Sequence, residues 1–200
     1  VDGRQERIAD PPAVSRLLSD RHRGIGSDGL IIIDPPDDPA NQARMRMFNA
    51  DGSDGEMCGN GIRCVAKFLV DRGISESQPL LVETAGGVRT LAWDRDAAGK
   101  VETVTVDMGT PRLDAESIPA HVPGIEPAGK VIGHSFDPVA IGVEEEDAKV
   151  CGMEPALTLV SMGNPHVVVF CRDVAAAPLE RLGPIFEHHA WFPNRINLHL

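Results

Sequence analysis

Hydrophobic and polar positions alternate in two distinct rhythms along this chain. Residues 12–22 place Val14, Leu17 and Leu18 on one helical face behind Pro11 and Pro12, which predicts a helix ended by Gly24 and Gly26. The run Leu30–Ile33 is short, apolar and β-branched, and Pro35 and Pro36 stop it, so a buried strand is expected. Residues 43–50 alternate Arg with Met and Phe, as a strand with one wet face does. A Gly-rich turn follows over NADGSDGEMCGNG. From Asn60 to Arg72 the period becomes helical, with Ile62, Val65, Ala66, Leu69 and Val70 sharing a face and Gly73 at the C-terminal cap position. Strand-like runs at 80–84, 88–93 and 101–108 predict an antiparallel meander, the last with Val104, Val106 and Met108 on one side.

Residues 109–130 are rich in Pro and Gly and mark a domain junction, with lobes expected over 1–112 and 113–200. Further strand-like runs lie at 157–161, 166–171 and 195–200.

Composition narrows the function. Hydrophobic residues make up 42% and charged residues 24% of 200 residues, ordinary for a folded globular protein. A net charge of -11 without a basic stripe argues against nucleic acid or an anionic membrane as partner. No apolar run is long enough to span a bilayer, and the first residues lack a signal-peptide pattern, so the cytoplasm is the expected compartment. The four cysteines, Cys58, Cys64, Cys151 and Cys171, form no C-x2-C pair suited to zinc and are expected as reduced thiols.

Residues 24–29, GIGSDG, match a dinucleotide-binding pattern letter for letter. That motif must follow a strand and open a helix, whereas this one follows a helical pattern and opens LIII, so tight turns explain its glycines. The segment with stronger chemistry is MCGNGIRC. Cys58 stands at the entrance of the best-defined helix, where unpaired N–H groups and the helix dipole, worth about 0.3 to 1 kcal/mol, favour a thiolate or a substrate carboxylate. Cys64, inside the helix, is expected as a packing residue. Asn49 and Asn60 bracket the loop with amides that donate and accept, suited to an amino acid's carboxylate and ammonium. SMGNPHVVV puts Asn164 and His166 in a turn entering an apolar strand, and FPNRINL supplies Asn194 and Asn197 without a local mechanism.

FNADGSDGEMCGNGIRCVAKF resembles the segment around the first catalytic cysteine of the diaminopimelate epimerases. DRHRGIGSDGLIII, GNPHVVVF and FPNRINL resemble three further motifs of that family in the same order, from residue 20 to residue 200. The resemblance implies an α+β fold of two similar lobes, each a curved, mainly antiparallel sheet or barrel around a central helix, with the second incomplete here. It implies an isomerase that interconverts LL- and meso-diaminopimelate in lysine and peptidoglycan biosynthesis, without pyridoxal phosphate or metal, and it allows a homodimer. By position, Cys58 is one of two catalytic cysteines, His166 influences catalysis, and Asn49, Gly59, Asn60, Asn164 and Asn197 contact substrate.

Inversion needs a base on one face of the carbon and an acid on the other, hence two thiols. The family's second cysteine, in a Cys-Gly-Thr-Gly segment after a Glu-Arg pair, and its opening Gly-Leu-Gly-Asn-Asp-Phe turn have no counterpart in these 200 residues. Gly29 stands where some members carry a substrate-contacting Gln. On that pattern the chain is expected to be a fragment, inactive alone. Rival readings are a proline racemase-like or phenazine-pathway isomerase of the same fold, and a noncatalytic amino-acid-binding module.

Overall fold

A computed structural model describes residues 1–55 and 57–200. Glu56, within the expected Gly-rich turn, lies outside the described residues. They divide into two compact units, Val1–Met108 and Gly109–Leu200. Both mix sheet and helix, an α+β architecture.

The first unit runs α1 (Pro11–Ser19), β1 (Gly29–Asp34), β2 (Ala43–Asn49), β3 (Asp54–Gly55), α2 (Gly59–Asp71), β4 (Leu80–Thr84), β5 (Gly87–Arg95) and β6 (Val101–Val106). Among the described residues these strands form one sheet in the order β1-β2-β4-β5-β6, with β3 paired on β2. All neighbours are antiparallel except β2 and β4, which pair Ala43 with Val82 in parallel. The meander read from residues 80–108 is β4-β5-β6.

The apolar run of β1 is continuous because both faces of this end of the sheet are covered. Ile33 packs with α2, through Ile62, Val65, Ala66, Leu69 and Val70. Leu30 and Ile32 face the other way, with Phe48, against Val14 and Leu18 of α1. The buried face of α2 is the one its periodicity predicts. Two details differ from expectation. Leu17 is 62% exposed, because α1 turns Ser15 and Ser19 inward instead. Ser15 Oγ donates to the Asn49 carbonyl at 2.7 Å and Ser19 Oγ pairs with Ser27 Oγ at 3.2 Å, so hydrogen bonds set the rotation of the helix. Cys64 is exposed rather than packed, since it lies on the side of α2 opposite that apolar face. The GIGSDG segment joins α1 to β1; a Cβ on Gly24 would lie 2.2 Å from the Leu17 carbonyl oxygen, so close packing requires glycine there.

The second unit contains β7 (His134–Ser135), α3 (Glu145–Cys151), β8 (Met153–Ser161), β9 (Pro165–Cys171), α4 (Leu179–Glu187) and β10 (Asn197–His199). Its sheet has the order β10-β9-β8-β7, antiparallel except for the parallel pair β9 and β10. Leu157, Leu159, Val167 and Val169 form its core with Leu182 and Phe186 of α4. Arg181 of α4 forks onto the buried Asp147 of α3 through its Nε and Nη2. Neither α3 nor α4 was legible in the pattern: α3 has seven residues, and α4 carries Gly183 and Pro184 inside it.

Leu69 is fully buried, so Leu69→Ala should cost about 2 to 5 kcal/mol in chemical denaturation, whereas Leu17→Ala should stay within about 0.5 kcal/mol. Equal effects of the two would contradict the assigned rotation of α1 and the core position of α2.

Candidate active site

Cys58 is the N-cap of α2, in extended conformation at φ -130°, ψ 106°. Its Sγ accepts the Gly61 N–H at 3.2 Å, and its carbonyl accepts the Ile62 N–H at 2.9 Å. An N-cap acceptor satisfies one of the four orphan N–H groups of a helix. The half-buried Cys58 packs against the core of its unit and forms no disulfide. Among the described residues, the Gly59 and Asn60 N–H groups have no partner and remain available to an anion.

The two glycines that follow have different reasons. A Cβ on Gly61 would lie 2.4 Å from Ile31 Cδ1, so the chain's own packing excludes it. A Cβ on Gly59 would meet nothing nearer than Met108 Sδ and Cε, at 3.8 Å, an ordinary contact. Among the described residues the space at Gly59 is left open.

Asn60 points along the exposed side of the helix, its Oδ1 accepting from Arg63, so its backbone rather than its amide belongs to the helix entrance. Asn49 ends β2. Its Nδ2 donates to Ser53 Oγ at 2.9 Å, and Ser53 Oγ in turn donates to the Asp51 carboxylate at 2.6 Å. That hydroxyl holds the Asp51 carboxyl below its usual range. One Nδ2 hydrogen is committed in this way, and the Asn49 amide oxygen has no partner among the described residues. Among the described residues, no hydrogen bond joins Asn49 to Cys58.

In the second unit the structure brings three expected residues together. The β9/β10 register sets Asn197 beside His166, and Asn197 Nδ2 donates to the Pro165 carbonyl at 3.0 Å. His166 Nε2 lies 3.0 Å from Asn164 Oδ1, and His166 Nδ1 lies 2.7 Å from Nε2 of His199. His199 was not singled out in the sequence, although in NLHL it follows Asn197 by two and so shares its strand face. Arg195 carries a left-handed φ of 68°, rare for a side chain of its kind, at the turn delivering β10. That turn and strand border a cleft of about 450 Å³ lined by Asn194, Arg195, Asn197, His199 and Glu187.

Burial pushes His166 below the ordinary imidazole value of 6.5, and neighbouring His199 adds to the effect. Burial alone pushes His189 the same way. Below 6.5 the unfolded chain takes up these protons while the folded chain still resists them, so stability is full above 6.5 and declines as pH falls through the folded values. Thermal midpoints of the chain should therefore drop between pH 7.5 and 5, and the combined His166→Gln and His189→Gln variant should show a flatter profile. An unchanged slope in that variant would assign the acid sensitivity elsewhere.

The family model for diaminopimelate epimerase matches residues 1–113. The chain is 45% identical over 193 residues to the diaminopimelate epimerase of Agathobacter rectalis, covering 96% of this chain and 64% of that protein. It is 46% identical over 198 residues to that of Desulfovibrio desulfuricans, covering 98% and 64%, and 42% identical to that of Methanococcus maripaludis strain C5, covering 99% and 65%. The chain thus spans a little under two thirds of the length of these relatives. Among solved structures, it superposes on a probable proline racemase from Agrobacterium radiobacter K84 with TM-score 0.54 at 18% identity, covering 80% of this chain and 41% of that one. A predicted epimerase from Pseudomonas aeruginosa gives TM-score 0.54 at 17% identity, covering 90% and 57%. These two likenesses concern the fold alone. By the match over its first 113 residues, the chain belongs to the diaminopimelate epimerase family.

Proposed function

We propose that the polypeptide carrying this chain interconverts LL- and meso-diaminopimelate by proton transfer at an α carbon, with Cys58 as one of the two acid-base groups. The observation that carries this reading is the capping geometry of Cys58: a thiol held at a helix entrance by the Gly61 N–H, beside unpartnered N–H groups and the open space at Gly59.

The α C–H of an amino acid is a poor acid, and its removal is eased when carboxylate charge is spread onto fixed donors in a site that excludes water. The Gly59 and Asn60 N–H groups, with the positive end of α2, supply such donors for the substrate carboxylate. Asn49 offers an amide oxygen suited to the substrate ammonium, and Asn164 and Asn197 offer further amides. Cys58 then takes or gives the proton from one face of the carbon. A second group must serve the other face, and the family pattern assigns that role to another cysteine. The reaction proceeds without pyridoxal phosphate or metal, in the cytoplasm. The excess of acidic side chains, and the absence among the described residues of any helix able to cross a membrane, are compatible with that setting.

Deuterium incorporation at the α carbon of LL-diaminopimelate in heavy water tests the proposal. The parent polypeptide should give exchange with inversion, and Cys58→Ala should reduce it by at least about a hundredfold, the scale of a lost general acid or base. Normal epimerisation by Cys58→Ala would overturn the assignment. Exchange of proline in place of diaminopimelate would redirect it to the racemases of the same fold.

A further inference from the structure

Both ring nitrogens of His166 are engaged. Nδ1 lies 2.7 Å from His199 Nε2 and Nε2 lies 3.0 Å from Asn164 Oδ1, with the two imidazole rings 4.8 Å apart between centroids. The β9/β10 ladder produces this arrangement. His166 sits opposite Asn197 and Val168 opposite His199, which makes His199 the diagonal neighbour of His166 on one face of the sheet.

With the Asn164 oxygen turned toward the ring, the chemistry of the three groups sets the direction of the hydrogen bonds. An amide oxygen only accepts, so Nε2 of His166 carries its proton. A neutral imidazole protonated at Nε2 has a lone pair at Nδ1, and that lone pair is met by the N–H of His199 Nε2. The chain therefore runs one way: His199 donates to His166, and His166 donates to Asn164. The Asn164 oxygen is thus engaged by the histidine, while its NH2, which only donates, has no partner among the described residues. Reversing the first bond would place the His166 lone pair at Nε2, draw the Asn164 NH2 inward, and leave the oxygen outward. The polarity of one histidine pair thus decides whether position 164 meets an acceptor or a donor.

We propose that His199 is a positioning residue: by donating to Nδ1 it holds His166 in the Nε2–H tautomer, and so presents the Asn164 amide as a donor that selects a carboxylate oxygen. His166 is on this account also a positioning residue rather than the proton-transferring base, since neither nitrogen is free. The partial burial that keeps His166 neutral near pH 7 preserves the Nδ1 lone pair on which the relay depends. The identity of the ligand as an amino acid's carboxylate rests on the epimerase reading; the tautomer does not.

Long-range 1H–15N correlation of the imidazoles in the 200-residue chain at pH 7.5 reads the tautomer directly. His166 should show an unprotonated Nδ1 and a protonated Nε2. His199→Phe keeps a ring and removes the donor, and should release His166 into a tautomer mixture. His199→Gln, whose amide N–H can still donate, should restore the single tautomer. In the polypeptide that carries the chain, His199→Phe should raise the KM for diaminopimelate by about tenfold, the scale of one lost hydrogen bond, with a smaller effect on kcat. An Nδ1–H tautomer of His166 in the parent, or an unchanged His166 in a folded His199→Phe variant, would overturn the proposal. Should His199→Phe fail to fold, His166→Phe provides the reciprocal reading: His199 should lose its fixed Nε2–H tautomer, and an unchanged His199 would overturn the proposal equally. A parent that shows the expected tautomers yet exchanges no diaminopimelate α proton would sink the epimerase reading while leaving the relay intact.

Discussion

Burial of one face of α2 is the constraint on which the first unit depends. Ile62, Val65, Ala66, Leu69 and Val70 are all inside, and every one of them fixes the same rotation of the helix against its sheet. A helix held so firmly has no freedom to slide, and its first turn must therefore begin at one place. That place is Cys58. The apolar face does not touch the chemistry, yet it determines where the unpaired N–H groups emerge. Gly61 completes the link, since its missing side chain lets Ile31 of β1 pack against the first turn while its N–H reaches the Cys58 sulfur.

Much of this is legible in the sequence. The faces of α2, the two-sided burial of β1 and the order of the β4-β5-β6 meander follow from periodicity, because each depends on many apolar positions agreeing. What was not legible depends on single polar contacts. Leu17 reads as a core residue by spacing, but two serines with hydrogen-bond partners turn α1 away from it. Helix α4 was hidden by Gly183 and Pro184, which oppose a helix locally, while burial of Leu182 and Phe186 prevails over them. The role of His199 was invisible for a third reason: it exists only where β10 runs parallel to β9, and no local pattern records a parallel pairing between segments thirty residues apart.

Cys58 and Cys64 illustrate the same division. They lie six residues apart, and both have thiol side chains, but the helix separates them completely. Cys58 caps the first turn and shares its sulfur with a backbone N–H; Cys64 projects from the exposed side. Residue type alone could not distinguish them. Position relative to the end of a helix and to its apolar face does so without any appeal to the reaction.

The amides of the two units show how a chain can give chemical direction to a side chain that has almost none by shape. An Asn can be turned over with little change in volume, so its orientation is decided by a neighbour whose role is fixed. In the first unit the fixed neighbour is the Asp51 carboxylate, which only accepts. Ser53 must donate to it, Asn49 donates to Ser53, and the Asn49 oxygen is left outward. In the second unit the outcome at Asn164 is opposite, because a histidine N–H stands in the place of the serine oxygen and the NH2 is left outward. One relay is anchored by a charge and holds over the whole range in which Asp51 stays ionised. The other is anchored by an imidazole, and acid disturbs only its outer link: a proton added at His166 Nδ1 meets a second donor on His199 and forces that ring to change its own tautomer or withdraw, while His166 Nε2 still donates to the Asn164 oxygen. The two amides therefore differ in what they offer a ligand: an acceptor at Asn49 and a donor at Asn164.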